Sequence, residues 1–152
     1  MKVSEVMTAP PVCVAPDVSL VQVTRQMAEC SVGSVLVVDD GALRGIVTDR
    51  DLAIRGVGGG LDARARVDAV MSPRAVTIDA DDDLQVAYQT FRRSGVRRLP
   101  VLGAGRVVGV LTIDDLFLDV FRRFADLLGA VAWSVLQEPP GPLSEAGVPH
   151  AP

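Results

Sequence analysis

At 152 residues and 49% hydrophobic, the chain can bury about 68–70% of its unfolded surface, in one core or in two small halves fused together. A net charge of −4 and a pI near 4.9 argue against general nucleic-acid binding, which needs a basic footprint. No apolar run reaches the roughly 18 residues of a membrane span. Two cysteines, Cys13 and Cys30, are too few for a disulfide framework and lack metal-site spacing, so they are expected to be buried thiols in a reducing cytoplasm. Because repeat residues begin at Val3, no signal peptide is expected either.

In chain order, a Pro10-Pro11 pair follows Val3, Val6 and Met7 and breaks any helix there. Val12–Val14 reads as a short strand. Asp17 or Ser19 can cap a helix carrying Leu20, Val23 and Met27 at helical spacing. Val35–Val38 and Leu43–Thr48 read as a hairpin around the turn signal Asp39-Asp40-Gly41, and Asp49–Val57 as a second helix. The unit is therefore β-α-β-β-α, over residues 1–57. Residues 58–66, opening with Gly58-Gly59-Gly60, read as an exposed linker.

The same plan then repeats over residues 67–118. Ala75–Ile78 is a strand, and Asp79–Asp83 an acidic helix start. Leu84, Ala87, Tyr88 and Phe91 form an apolar stripe, with Gly95 as the C-cap. Leu99–Leu102 and Arg106–Leu111 form the second hairpin around Gly103-Ala104-Gly105. A last helix opens near Asp114, continues to about Leu136 and extends over residues 119–136 beyond the repeat. Residues 137–152 hold five of the ten prolines without apolar periodicity and read as a disordered tail.

The two units are a tandem duplication at an offset of 64 residues. Gly45-Ile46-Val47-Thr48-Asp49-Arg50-Asp51-Leu52 returns as Gly109-Val110-Leu111-Thr112-Ile113-Asp114-Asp115-Leu116. From Val3 to Leu52, identical residues recur in register with no gap. Each Thr-x-x-Asp fits a capping box, in which the Thr hydroxyl takes one helix amide and the acid reaches back to another. The same geometry places free N–H groups and a carboxylate where a phosphate and a ribose could bind. The two roles can coexist, since capping uses only part of a carboxylate's acceptor capacity.

These features, with the opening Val-Met-Thr/Ser and the run Gly95–Val101, resemble a cystathionine β-synthase (CBS) domain pair of the small stand-alone bacterial type. The resemblance covers roughly Met1 to Phe117. It implies a mixed α/β (α+β) fold, with two β-α-β-β-α repeats packed as a pseudo-two-fold pair and a C-terminal helix added. It also implies a regulatory, non-catalytic, cytoplasmic module with no obligatory cofactor. The implied ligand is an adenosyl compound (AMP, ADP, ATP, NAD or S-adenosylmethionine) held in clefts between the repeats, and the implied partners are a second copy and a regulated protein. On the family's pattern Asp51 and Asp115 take the ribose, with Thr48 and Thr112 as their hydroxyl partners. Adenine is expected against the first strand of each repeat, around Val12–Val14 and Ala75–Ile78, with Val14 and Ile78 as candidate contacts.

Departures between the copies matter. Arg92, Arg93, Arg97 and Arg98 stand where repeat one has Ala28, Glu29, Gly33 and Ser34. Arg97 and Arg98 are phosphate candidates because guanidinium forks match phosphate. Arg92 and Arg93 read as a solvated cluster, and Arg50 as a weaker candidate. The alternative to ligand binding is a dimerisation scaffold without ligand. An enzyme is disfavoured: the only histidine, His150, lies in the Pro-rich tail, so neither cysteine has a base to activate it. Phe117, Phe121, Phe124, Leu128, Val131 and Val135 recur at alternating spacings of 4 and 3, a stripe suited to a helix at a homodimer interface.

Overall fold

A computed structural model describes residues 1–137. The tail expected over residues 137–152, with His150, lies outside the described residues except for Gln137, which ends the last helix. Repeat one contains β1 (Cys13–Val14), α1 (Leu20–Cys30), β2 (Ser34–Asp39), β3 (Ala42–Thr48) and α2 (Asp49–Asp51), which continues as a π-helical segment over Leu52–Val57. Repeat two contains β4 (Ile78–Asp79), α3 (Leu84–Ser94), β5 (Arg98–Gly103), β6 (Arg106–Thr112) and α4 (Ile113–Gln137). Each repeat forms one three-stranded sheet in chain order, with its first strand parallel to the second and the hairpin antiparallel. The fold is thus mixed α+β with two like halves.

Local chemistry explains the elements. Ser19, rather than Asp17, caps α1 by accepting from the Gln22 amide, and Asp83 caps α3 by accepting from the Gln85 amide. Gly95 closes α3 in the left-handed conformation, and Ser31 does the same at the matching end of α1. Both hairpins turn on two residues of positive φ, Asp40-Gly41 and Ala104-Gly105, which suits the right-handed twist of the flanking strands. The first strands are shorter than expected: Pro11 lacks a donor and Pro16 follows closely, so β1 keeps two residues, although the Val12 carbonyl still accepts from the Leu36 amide.

Three expectations need correction. Tyr88 is exposed while Leu84, Ala87 and Phe91 are buried, because it stands at the edge of the stripe. Cys30 is exposed at the last position of α1, and only Cys13 is partly buried, which pushes its thiol pKa up. The segment Asp49–Val57 is one α-turn followed by wider π turns, as the Gly58 amide reaching back to the Ala53 carbonyl shows. The Gly-rich stretch after it favours no regular helix.

The deepest feature is an exchange of opening segments. Val3, in a short 3₁₀ turn (Val3–Glu5), is fully buried in the core of repeat two with Ile78, Leu84, Phe91, Leu99 and Leu111. Val67 and Val70, around the matching turn Val67–Ala69, are buried in the core of repeat one with Val14, Val23, Met27, Val37 and Val47. The exchange is hydrogen-bonded symmetrically. The Val3 amide donates to the Asp82 carbonyl and the Val67 amide to the Val18 carbonyl, at 2.9 and 2.8 Å. Thr8 exchanges two backbone bonds with Val110 of β6, and Ser72 does so with Ile46 of β3. Neither half has a complete core without the other.

Glycine makes the crossing possible. A Cβ on Gly45 would lie 2.6 Å from the Ser72 carbonyl oxygen, and one on Gly109 would lie 3.0 Å from that of Thr8 and 2.5 Å from the Met7 sulfur. Residues Met1–Phe117 form one compact unit and the chain from Leu118 a second. Within α4, Leu116 is buried, whereas all six residues of the apolar stripe are exposed. Gly45→Ala should destabilise the fold by about 1–3 kcal/mol through overpacking at the crossing. Urea unfolding of the two proteins would check this, and an unchanged midpoint would mean that the crossing relaxes freely.

Candidate functional site

β3 and β6 both end at a threonine from which a helical turn starts, so the same bonds form twice. The Thr48 hydroxyl accepts from the Asp51 amide at 3.1 Å, and Asp51 Oδ2 accepts from the Thr48 amide at 2.9 Å and its hydroxyl at 3.0 Å. In repeat two the Thr112 hydroxyl accepts from the Asp115 amide at 3.0 Å, and Asp115 Oδ2 takes both Thr112 donors at 2.8 Å. The capping boxes are therefore real, and each occupies only one carboxylate oxygen.

The second oxygens differ. Asp51 Oδ1 faces Arg55 Nη2 at 3.4 Å, while Arg55 also donates to the Val70 and Met71 carbonyls and the Ser72 hydroxyl. Asp115 Oδ1 has no partner among the described residues.

Two clefts flank these turns, both inside the Met1–Phe117 unit and both built from the two repeats. The first, of about 240 Å³, is walled by Thr8 and Pro10–Val12, by Val32–Ser34 and Leu36, and by Arg98, Val110 and Thr112 of repeat two. The second, of about 260 Å³, is walled by Ser72 and Arg74–Val76, by Val96–Arg98, and by Ile46 and Thr48 of repeat one. A shift of 64 residues maps Thr8, Val12, Val32, Gly33 and Ser34 onto Ser72, Val76, Val96, Arg97 and Arg98. The exchange of opening segments creates the clefts, since it lays Thr8–Val12 beside β6 and Ser72–Val76 beside β3. A polar recess of about 480 Å³ shares residues with both and is lined by Thr48, Asp49, Arg50, Arg97, Arg98, Thr112 and Asp114.

The residues singled out in the sequence fall into three groups. Thr48, Thr112, Arg97 and Arg98 line clefts and recess alike, with Arg98 reaching all three, and Arg50 lines the recess opposite in charge to Asp114. Asp51 and Asp115 stand one hydrogen bond behind Thr48 and Thr112. Val14 and Ile78 lie in the two hydrophobic cores beneath α1 and α3. The stretch just before each first strand, Pro10–Val12 and Arg74–Val76, reaches the clefts in their place. Arg92 and Arg93 are exposed in the last turn of α3 and line none of these spaces.

Sequence reasoning missed Thr8, Ser72, Arg74 and the outer walls Val110 and Ile46. The recurrence of Thr8 as Ser72 and of Ile46 as Val110 at the same offset was the available signal, whereas Arg74 stands in place of Pro10. Among the described residues, no cluster of His, Cys, Asp and Glu is placed to hold a metal ion, and no helix is long and apolar enough to cross a membrane.

Comparison with known proteins agrees with this architecture. The CBS domain family matches twice, over residues 3–57 and 67–121. The CBS domain-containing protein YhcV of Bacillus subtilis is 32% identical over 114 residues, covering 75% of this chain and 81% of that protein. The crystal structure of Hypoxic Response Protein I with two coordinated zinc ions has a TM-score of 0.70 at 30% identity, over 76% of this chain and 96% of that one. A CBS domain protein, PAE2072 of Pyrobaculum aerophilum, complexed with AMP, has a TM-score of 0.69 at 27% identity, over 76% of this chain and 90% of that one. Two matched repeats, two exchanged cores and two Thr-x-x-Asp turns place this chain in the CBS domain family.

Proposed function

We propose that the chain is a non-catalytic regulatory module that binds an adenosyl ligand between its repeats and so reads the level of AMP, ADP, ATP or a related compound. The observation that carries this reading is the pairing of a largely apolar cleft with a Thr-x-x-Asp rim and a guanidinium at one place. Adenine would lie against Pro10–Val12 and Val110. The ribose hydroxyls would donate to the carboxylate behind the Thr rim, a charge-assisted bond of about 1.5–3 kcal/mol. Arg98, with Arg97 and Arg50 in the adjoining recess, would take the phosphate. The AMP complex of the related PAE2072 protein supports the ligand class. S-adenosylmethionine and NAD carry the same adenosyl group and belong to the same panel.

Melting the protein with each of these compounds tests the reading. A ligand at 100 times its Kd should stabilise the fold by about 2.7 kcal/mol. A shift with none of them favours the ligand-free scaffold, and steady hydrolysis of ATP would overturn the non-catalytic assignment. Arg98→Ala should weaken AMP at least tenfold, about 1.4 kcal/mol, while adenosine is affected much less. Equal losses for both would make Arg98 a support of the fold.

We also propose a homodimer in which α4 buries its stripe against a second copy. The exposure of Phe121 (63%), Phe124 (55%) and Val135 (66%) on one chain supports this. Truncation after Asp126 should yield a monomer by light scattering. A shortened protein that keeps both its mass and its melting point would refute a role for the stripe.

A further inference from the structure

The two clefts are copies in sequence register, yet their carboxylates are in different states. Behind the second cleft, Asp51 Oδ2 is committed to the cap and Oδ1 to Arg55. Arg55 is itself fixed by the Val70 and Met71 carbonyls and by the hydroxyl of Ser72, a wall residue of that cleft. A ribose arriving there must replace a cationic partner with neutral hydroxyls, and that partner is anchored to a residue of the cleft wall. Behind the first cleft, Asp115 keeps Oδ1 without a partner among the described residues, and the residue 64 positions after Arg55 is Asp119, which cannot act as such a latch.

The walls diverge in the same sense. Pro10 and Gly33 of the first cleft are replaced by Arg74 and Arg97 in the second, so the second is the more cationic, although both are mostly apolar. Adenosine is uncharged, with an apolar base and two vicinal hydroxyls. It suits the cleft backed by a carboxylate with an open oxygen better than the cationic cleft whose carboxylate is taken.

Resting on the adenosyl-binding reading, we propose that each chain takes one nucleoside, in the Thr8–Val110 cleft on Asp115, and that Arg55 is the residue that closes the second cleft to ribose. Arg55 is a specificity-determining residue by occupation: it holds the acceptor that a second nucleoside would need. The two repeats thereby have different tasks although they share one sequence pattern.

Titration calorimetry of the full chain with adenosine and AMP tests this. Wild type should show one site per chain. Asp115→Asn should weaken binding at least tenfold, whereas Asp51→Asn should leave affinity within about twofold. Arg55→Gln, which removes the charge but keeps a hydrogen-bonding side chain, should add a second and weaker site, raising the stoichiometry towards two. Two equal sites in wild type, a stoichiometry of one retained in Arg55→Gln, or losses that follow Asp51 in place of Asp115 would each overturn the assignment while leaving the adenosyl reading intact. An absence of heat with every compound would overturn both.

Discussion

The structure depends on the crossing of two backbone segments over two strands. Thr8 pairs with Val110 and Ser72 pairs with Ile46, and both pairings need a residue without a side chain at the neighbouring position. Gly109 and Gly45 supply it. Because the crossing seats Val3 in the second core and Val67 in the first, each half is completed by the other's opening turn. Small cores are marginal, and here the shortfall of each half is met by exchange. The same event builds the clefts, since the chain that crosses becomes a cleft wall.

Stability and recognition then share the same atoms. The Thr-x-x-Asp turns satisfy the helix-start amides that a strand end would otherwise leave open. They do so with one carboxylate oxygen, leaving the other for a second partner. In repeat one that partner is Arg55, which also ties the π-helical segment to the crossing at Val70–Ser72. The duplication therefore supplied two equal frames, and single side chains such as Arg55, Arg74 and Arg97 made them unequal.

Much of this was legible in the sequence because it was written twice. The recurrence of Gly45, Thr48 and Asp51 as Gly109, Thr112 and Asp115 marked the site, and Asp40-Gly41 marked the first hairpin turn. The exchange of opening segments was not legible, for a physical reason. Val3, Val6 and Met7 equal Val67, Val70 and Met71, so the pattern is indifferent to which of two like cores each segment fills. Of the first strands expected over Val12–Val14 and Ala75–Ile78, the leading residues Val12, Ala75 and Val76 line the clefts, whereas Val14 and Ile78 turn into the cores and the Pro-broken approach to each strand carries no periodicity to reveal which end does the lining. Arg55 was hidden in a segment that reads as ordinary helix but forms π turns.

The most direct measurement is a structure determined with AMP bound. On this account the base lies between Pro10–Val12 and Val110, both ribose hydroxyls reach Asp115, and the phosphate meets Arg98. AMP seated away from the Thr112 rim, or a ribose that leaves Asp115 untouched, would contradict it.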